Sequence, residues 1–228
     1  MPRQPGEHKN SGLKRSIVVP FKDKKVSGAT AQPELDLSDS LHRLCCDLRL
    51  RIPELSHIHP DRVLFSISRS RLRGTRGVYA RISPMRFASG KPEMTRRQGR
   101  YREIFRMPSL IHNGREIFYV ITVLVPRFLR LSFEEKLETV VHELYHISEA
   151  FDGDIRRFSG RNYAHGRSLD RYNAKVRELM NQYLADAPDS SVLSFLHLGE
   201  REWRRNSFCI TGLRVPVLRA KLVARERV

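Results

Sequence analysis

Ser132 to Phe151 reads Ser-Phe-Glu-Glu-Lys-Leu-Glu-Thr-Val-Val-His-Glu-Leu-Tyr-His-Ile-Ser-Glu-Ala-Phe, and no other stretch of the 228 residues restricts the fold so tightly. Ser132 followed three residues later by Glu135 is a capping box. Each side chain satisfies a free backbone N–H of the first turn, so a helix is expected to begin there. Phe133, Leu137, Val140, Leu144, Ile147 and Phe151 recur at intervals of three and four. That spacing lays one apolar stripe along a helix of period 3.6, a surface that must be buried against other elements.

His142 and His146 fall outside that stripe. At about 100° per residue they lie within roughly 40° of each other and nearly opposite the stripe's centre. Two imidazoles one turn apart can point at a single ion, and Glu143 between them can hold a water beside it. The pattern His142-Glu143-Leu144-Tyr145-His146 therefore predicts a zinc site. Glu143 is its expected general base, acting on a water whose pKa the ion has lowered.

Catalytic zinc normally takes three protein ligands and leaves a fourth position for water. Glu149 shares the histidines' side of the helix, but at a rise of 1.5 Å per residue it sits about 10 Å along the axis from His142. His165, in Asn162-Tyr163-Ala164-His165-Gly166-Arg167-Ser168-Leu169, arrives from a separate segment and is the expected third ligand. Asp152 and Asp154 flank Gly153, a residue suited to the left-handed conformation that ends a helix. We read these two carboxylates as turn residues or as support around the site.

Elsewhere the apolar spacing marks a first helix from Ser38 to Leu50. Runs over Arg62–Ser70, Val78–Phe87, Tyr101–Ile111 and Arg115–Val125 read as strands, with Asn113-Gly114 a hairpin signal between the last two. Beyond His165, Leu169, Tyr172, Val176, Leu179 and Tyr183 form another amphipathic helix that ends before Pro188. The expected class is α+β, a small antiparallel sheet packed with the histidine helix and flanking helices. Its expected organisation is a flexible basic tail over 1–34, one domain over 35–188 and a basic extension over 189–228.

A strand hairpin leading into Val-Val-His-Glu-Leu-Tyr-His-Ile, then a His-Gly-x-x-Leu opening another helix, resembles the SprT-like zinc metallopeptidases. Phage metallopeptidases of the same layout are also similar. The resemblance covers roughly Leu41 to Leu184 and is specific over His142 to His146 and His165 to Leu169. It implies a zincin-like fold, Zn2+ held by His142, His146 and His165, and Glu143 as catalytic base. It further implies a protein or peptide substrate running along an edge strand that lines the cleft, and action on or near DNA. This sequence departs from the pattern twice. Leu169 stands where an aromatic residue is common, and the cysteine zinc ribbon that follows the catalytic domain in many relatives has no counterpart here.

Charge bears on partners. Lys plus Arg number 42 against 25 Asp plus Glu, a formal net charge of +17, which favours polyanions or acidic surfaces, nucleic acid first among them. Between Ser66 and Arg106 there are twelve Arg or Lys against two Glu. Arg69, Arg71, Arg73 and Arg76, with Arg96 and Arg97 further on, are candidate phosphate contacts, since guanidinium forks suit bidentate pairing. A second reading is a basic nucleic-acid-binding protein whose histidine cluster is structural. Cys45-Cys46 and Cys209 make no Cys-x-x-Cys, which argues against a cysteine zinc site and suits reduced thiols in the cytoplasm. Neither a secretory signal nor an apolar run of about 20 residues is legible, so no membrane contact is expected.

Overall fold

A computed structural model describes residues 19–22, 33–70, 78–158, 164–165, 168–205 and 207–228. In chain order its first elements are β1 (Val19–Lys22), β2 (Glu34–Asp36), α1 (Leu37–Arg51), β3 (Val63–Arg69) and β4 (Ala80–Pro84). Then come β5 (Glu93–Gln98), β6 (Tyr101–Arg106), β7 (Ile111–His112), β8 (Arg115–Glu116) and β9 (Tyr119–Val125). The remainder comprises α2 (Phe133–Tyr145), α3 (Leu169–Ala185), α4 (Ser190–Leu193), α5 (Glu200–Arg204), β10 (Cys209–Arg214) and β11 (Lys221–Arg227).

Each of the three long helices starts on a side-chain cap. Asp36, Ser132 and Ser168 accept the backbone N–H of Asp39, Glu135 and Arg171 at 2.9, 3.1 and 3.3 Å. The Ser132 N–H in turn donates to the Glu135 carboxylate at 2.8 Å, completing the capping box. Each cap contributes about 1 kcal/mol and fixes where its helix enters the core.

Helix α2 stops earlier than its apolar stripe predicts. After Tyr145 the chain leaves the helix, Ile147 pairs with Ile155 in an isolated bridge, and Phe151 turns with φ of 48°. Both side chains are buried all the same, because the bridge and the turn face the core that the helix faces. The 3.6-residue spacing thus runs on past the element that produces it.

The central sheet has the order β3-β9-β4. It is mixed, not antiparallel as the sequence suggests. β4 runs antiparallel to β9 with Ile82 opposite Ile121, whereas β3 runs parallel to it with Phe65 opposite Ile121. Asn113 and Gly114 do form a tight turn, with φ of 48° and 73°, but it joins only the short β7 and β8. The long excursion between β3 and β9 leaves room for a parallel pairing, which no two-residue hairpin can supply. Leu41, Leu44 and Leu48 of α1, Leu137, Val140 and Leu144 of α2 and Val176 and Leu179 of α3 share one core with Phe65, Ile121 and Val123.

Besides the β7–β8 pair, two further three-stranded sheets occur among the described residues. β10 lies between β1, antiparallel to it, and β2, parallel to it. β11 pairs with β6, and β6 with β5, in a sheet apart from the central one. Strand β5 has no counterpart in the sequence reading. Glu93–Gln98 is polar and largely exposed, and so offers no apolar alternation to recognise. Among the described residues no helix is long and apolar enough to cross a membrane.

Candidate metal centre

His142 and Glu143 occupy the last turn of α2, and His146 is its C-cap. The helical offset brings His142 Nε2 to 3.2 Å from His146 Nε2. His165 approaches from the loop before α3, and one donor atom from each of the three rings lies within 4.8 Å of the others. Zinc bound tetrahedrally at ~2.0–2.1 Å spaces its ligands about 3.3 Å apart, so the helix pair already has that spacing and His165 stands wider. Among the described residues these three are the only group of His, Cys, Asp or Glu so disposed.

Burial leaves the rings chemically ready. Desolvation, with His165 adding to it, pulls His142 down to about 4. Desolvation, with His142, His165 and Arg156 adding to it, pulls His146 down to about 3. Both imidazoles are therefore neutral near pH 7 and keep a lone pair for a ligand bond. His146 Nδ1 is buried and has no hydrogen-bond partner among the described residues. An all-nitrogen donor set of this kind fits a borderline divalent transition metal better than a hard, oxygen-seeking cation.

Glu143 is buried beside the histidines, 8% exposed. Desolvation pushes its carboxyl up to about 7, and a hydrogen bond from the Ile82 backbone N–H works in the opposite direction. That donor is available because of register. The Leu124 N–H donates to the Tyr79 carbonyl at 2.9 Å, which makes this a hydrogen-bonded pair of the antiparallel ladder. Alternation then turns the polar groups of Arg81 and Ser83 toward β9 and those of Ala80 and Ile82 outward, at an edge that no described strand covers. Between that edge and α2 runs a cleft of about 620 Å³, with Glu135, Glu138 and Thr139 on one wall and the three histidines at its floor.

Other residues singled out in the sequence lie elsewhere. Glu149 is exposed, pairs with Arg156 at 2.6 Å and is not part of the histidine group. Asp152 accepts the Asp154 N–H, and Asp154 accepts from the Ser89 N–H at 3.1 Å, the Ile155 N–H and the Arg157 guanidinium. Both brace the turn around Gly153, whose φ is 88°. Arg69 ends β3 and is exposed. Arg96 and Arg97 are adjacent on β5 and so face opposite sides of their sheet, Arg96 bonding Glu103 at 3.0 Å. Arg71, Arg73 and Arg76 lie outside the described residues.

Tyr172, read from the sequence only as part of an apolar stripe, packs against all three histidines. Its ring centroid is 4.9, 5.0 and 4.9 Å from those of His142, His146 and His165. A buried tyrosine in a stripe needs a partner for its hydroxyl, and that need was the one available signal. A separate hollow of about 470 Å³ at the start of α1 is lined by Asp36, Asp39 and Asp61. These carboxylates are already engaged, with the Asp39 N–H, with Arg43 and with Arg115 respectively.

A family model described as Putative phage metallopeptidase matches residues 36–183. No curated protein and no solved structure matches the chain.

Proposed function

The chain belongs to the Putative phage metallopeptidase family, and from that premise we propose that it is a zincin-like, SprT-like zinc peptidase with Glu143 as general base. The observation that carries this reading is the convergence of His142, His146 and His165 beside a buried carboxylate, in a cleft bordered by a strand edge that no described strand covers. When bound by these three rings, zinc supplies a Lewis acid that activates water and polarises the scissile carbonyl. Glu143 accepts one proton of the attacking water, whose oxygen bonds to the carbonyl carbon. It then passes that proton to the nitrogen as the C–N bond breaks. Burial raises its proton affinity, which suits both steps near neutral pH. The outward-facing N–H and C=O of Ala80 offer an extended peptide a place to pair along β4.

The test joins metal analysis to proteolysis. Purified protein should carry about one zinc per chain and cleave an unfolded protein substrate, and chelation should abolish cleavage. Protein that carries no zinc and takes up none when supplied would remove the basis of this reading.

A further proposal concerns DNA. Arg225 and Arg96 lie on one face of the β11–β6–β5 sheet over the buried Glu103, with Arg227 and Tyr101 beside them. Arg225 sits 4.1 Å above the Tyr101 ring, and Arg96 sits 5.1 Å above that of Phe105. Guanidinium groups interleaved with rings suit a nucleic-acid backbone and its bases. This face supports the reading that the peptidase works on or near DNA.

A further inference from the structure

We infer that Tyr172 is the positioning residue of the metal centre, holding His142, His146 and His165 in register from behind; this rests on the zinc reading above. Three observations meet on one side chain. Its ring touches all three imidazoles, stacking on His146 with an interplanar angle of 25° and meeting His142 and His165 edge-on at 68° and 85°. Its hydroxyl donates to the His142 backbone carbonyl at 3.1 Å. The residue is 4% exposed and is absent from the lining of the cleft, so the ring closes the side of the cluster that substrate does not reach.

The hydrogen bond answers a need created by the end of α2. In a continuing helix the His142 carbonyl would receive the N–H of His146, but that N–H turns to Leu144. The last carbonyls of a helix lack partners unless something else supplies a donor. Tyr172 supplies one, at the residue that also provides a ligand. Because α3 begins at Leu169, four residues after His165, the same side chain couples the third histidine to the first two. With its hydroxyl committed to the backbone and its ring away from the cleft, Tyr172 acts through the histidines and does not touch substrate.

Tyr183 provides an internal control. It lies on the same stripe of α3, is fully buried, and its hydroxyl donates to Asp47 at 2.6 Å. It is a structural tyrosine with no contact to the cluster.

The experiment uses the full chain with cobalt(II) as probe, reading affinity by competition with a chromophoric chelator and ligand geometry from the visible absorption band. Tyr172→Phe should stay folded, bind cobalt about ten- to a hundred-fold more weakly and show a shifted band. Tyr172→Leu, which removes the ring as well, should lose more. Tyr183→Phe should lower the thermal midpoint and leave both cobalt readouts at wild-type values. A folded Tyr172→Phe with wild-type affinity and an unshifted band would overturn the inference and return Tyr172 to the core. If wild-type protein binds neither cobalt nor zinc, the zinc reading fails first and the positioning role fails with it.

Discussion

The carboxylate of Glu143 accepts the backbone N–H of Ile82, a bond that crosses from the end of α2 to the outer edge of β4. Glutamine can accept the same bond through its amide oxygen but cannot take a proton from water. Glu143→Gln should therefore keep its zinc and its fold, while peptide hydrolysis falls by about 10²–10⁴-fold. Its metal-free form should melt at or above the wild-type temperature, because a carboxyl held in a desolvated site costs stability once charged. Metal analysis, calorimetry and a proteolysis assay on one preparation check all three. Full activity in this variant would remove Glu143 from the chemistry.

His165, the proposed third ligand, comes from a loop, and its removal would leave only the helix pair, a two-coordinate remnant. His165→Ala should lose most of its zinc on dialysis. Wild-type protein should gain about 3–4 kcal/mol of apparent stability when free zinc stands at 100–1,000 times its dissociation constant, and chelator should reverse this. The thermal midpoint of the variant should respond to neither addition. An equal response in both proteins would mean that the ion sits elsewhere.

Asp154 gives a pH dependence. Burial pushes its carboxyl up, but Arg157, with the Ser89 and Ile155 amides, more than reverses this and holds it below the ordinary value of 3.8. A carboxyl with a depressed folded pKa adds stability that is complete above the unfolded value and is lost as pH falls through the folded one. Asp154→Asn should thus cost about 1–3 kcal/mol at pH 7, where the charged bonds are made. The difference between the two proteins should shrink below about pH 4, where the wild-type carboxyl protonates as well. Thermal midpoints of both proteins from pH 7 down to pH 3 would show the convergence. A constant gap would mean that the charge contributes nothing.

Much of this was legible in the sequence because the determinants are local. Ser132 and Glu135, three residues apart, announce the start of α2, and the apolar spacing from Leu169 to Tyr183 marks α3. What escaped depends on residues distant in the chain. β11 finds β6 across more than a hundred residues, and the polar β5 joins the same sheet with no apolar pattern of its own. Lys136 reads like any solvent-facing helix lysine, yet it is 2% exposed and donates to the Leu196 and Leu198 carbonyls. Tyr172 escaped for a related reason: spacing assigns a residue to a buried face without saying which side chains meet it there.

The β11–β6–β5 sheet carries the last prediction, on DNA. Arg225 and Arg227 lie two apart on β11 and so share a face with Tyr101 and Arg96. If that face tracks phosphates, replacing both arginines by alanine should weaken binding of a single-stranded 20-mer at low salt by about tenfold or more. The log–log dependence on salt should also flatten by about 1–2, since each lost phosphate contact on a single strand removes about 0.7 from the slope. Zinc content should be unchanged, because neither arginine belongs to the histidine group or lines its cleft. A duplex of the same length, run alongside, separates stacking on Tyr101 from simple charge: a clear preference for the single strand favours the rings, equal binding favours charge alone. Wild-type protein with no affinity for either at low salt would leave the charge of this sheet without a nucleic-acid role.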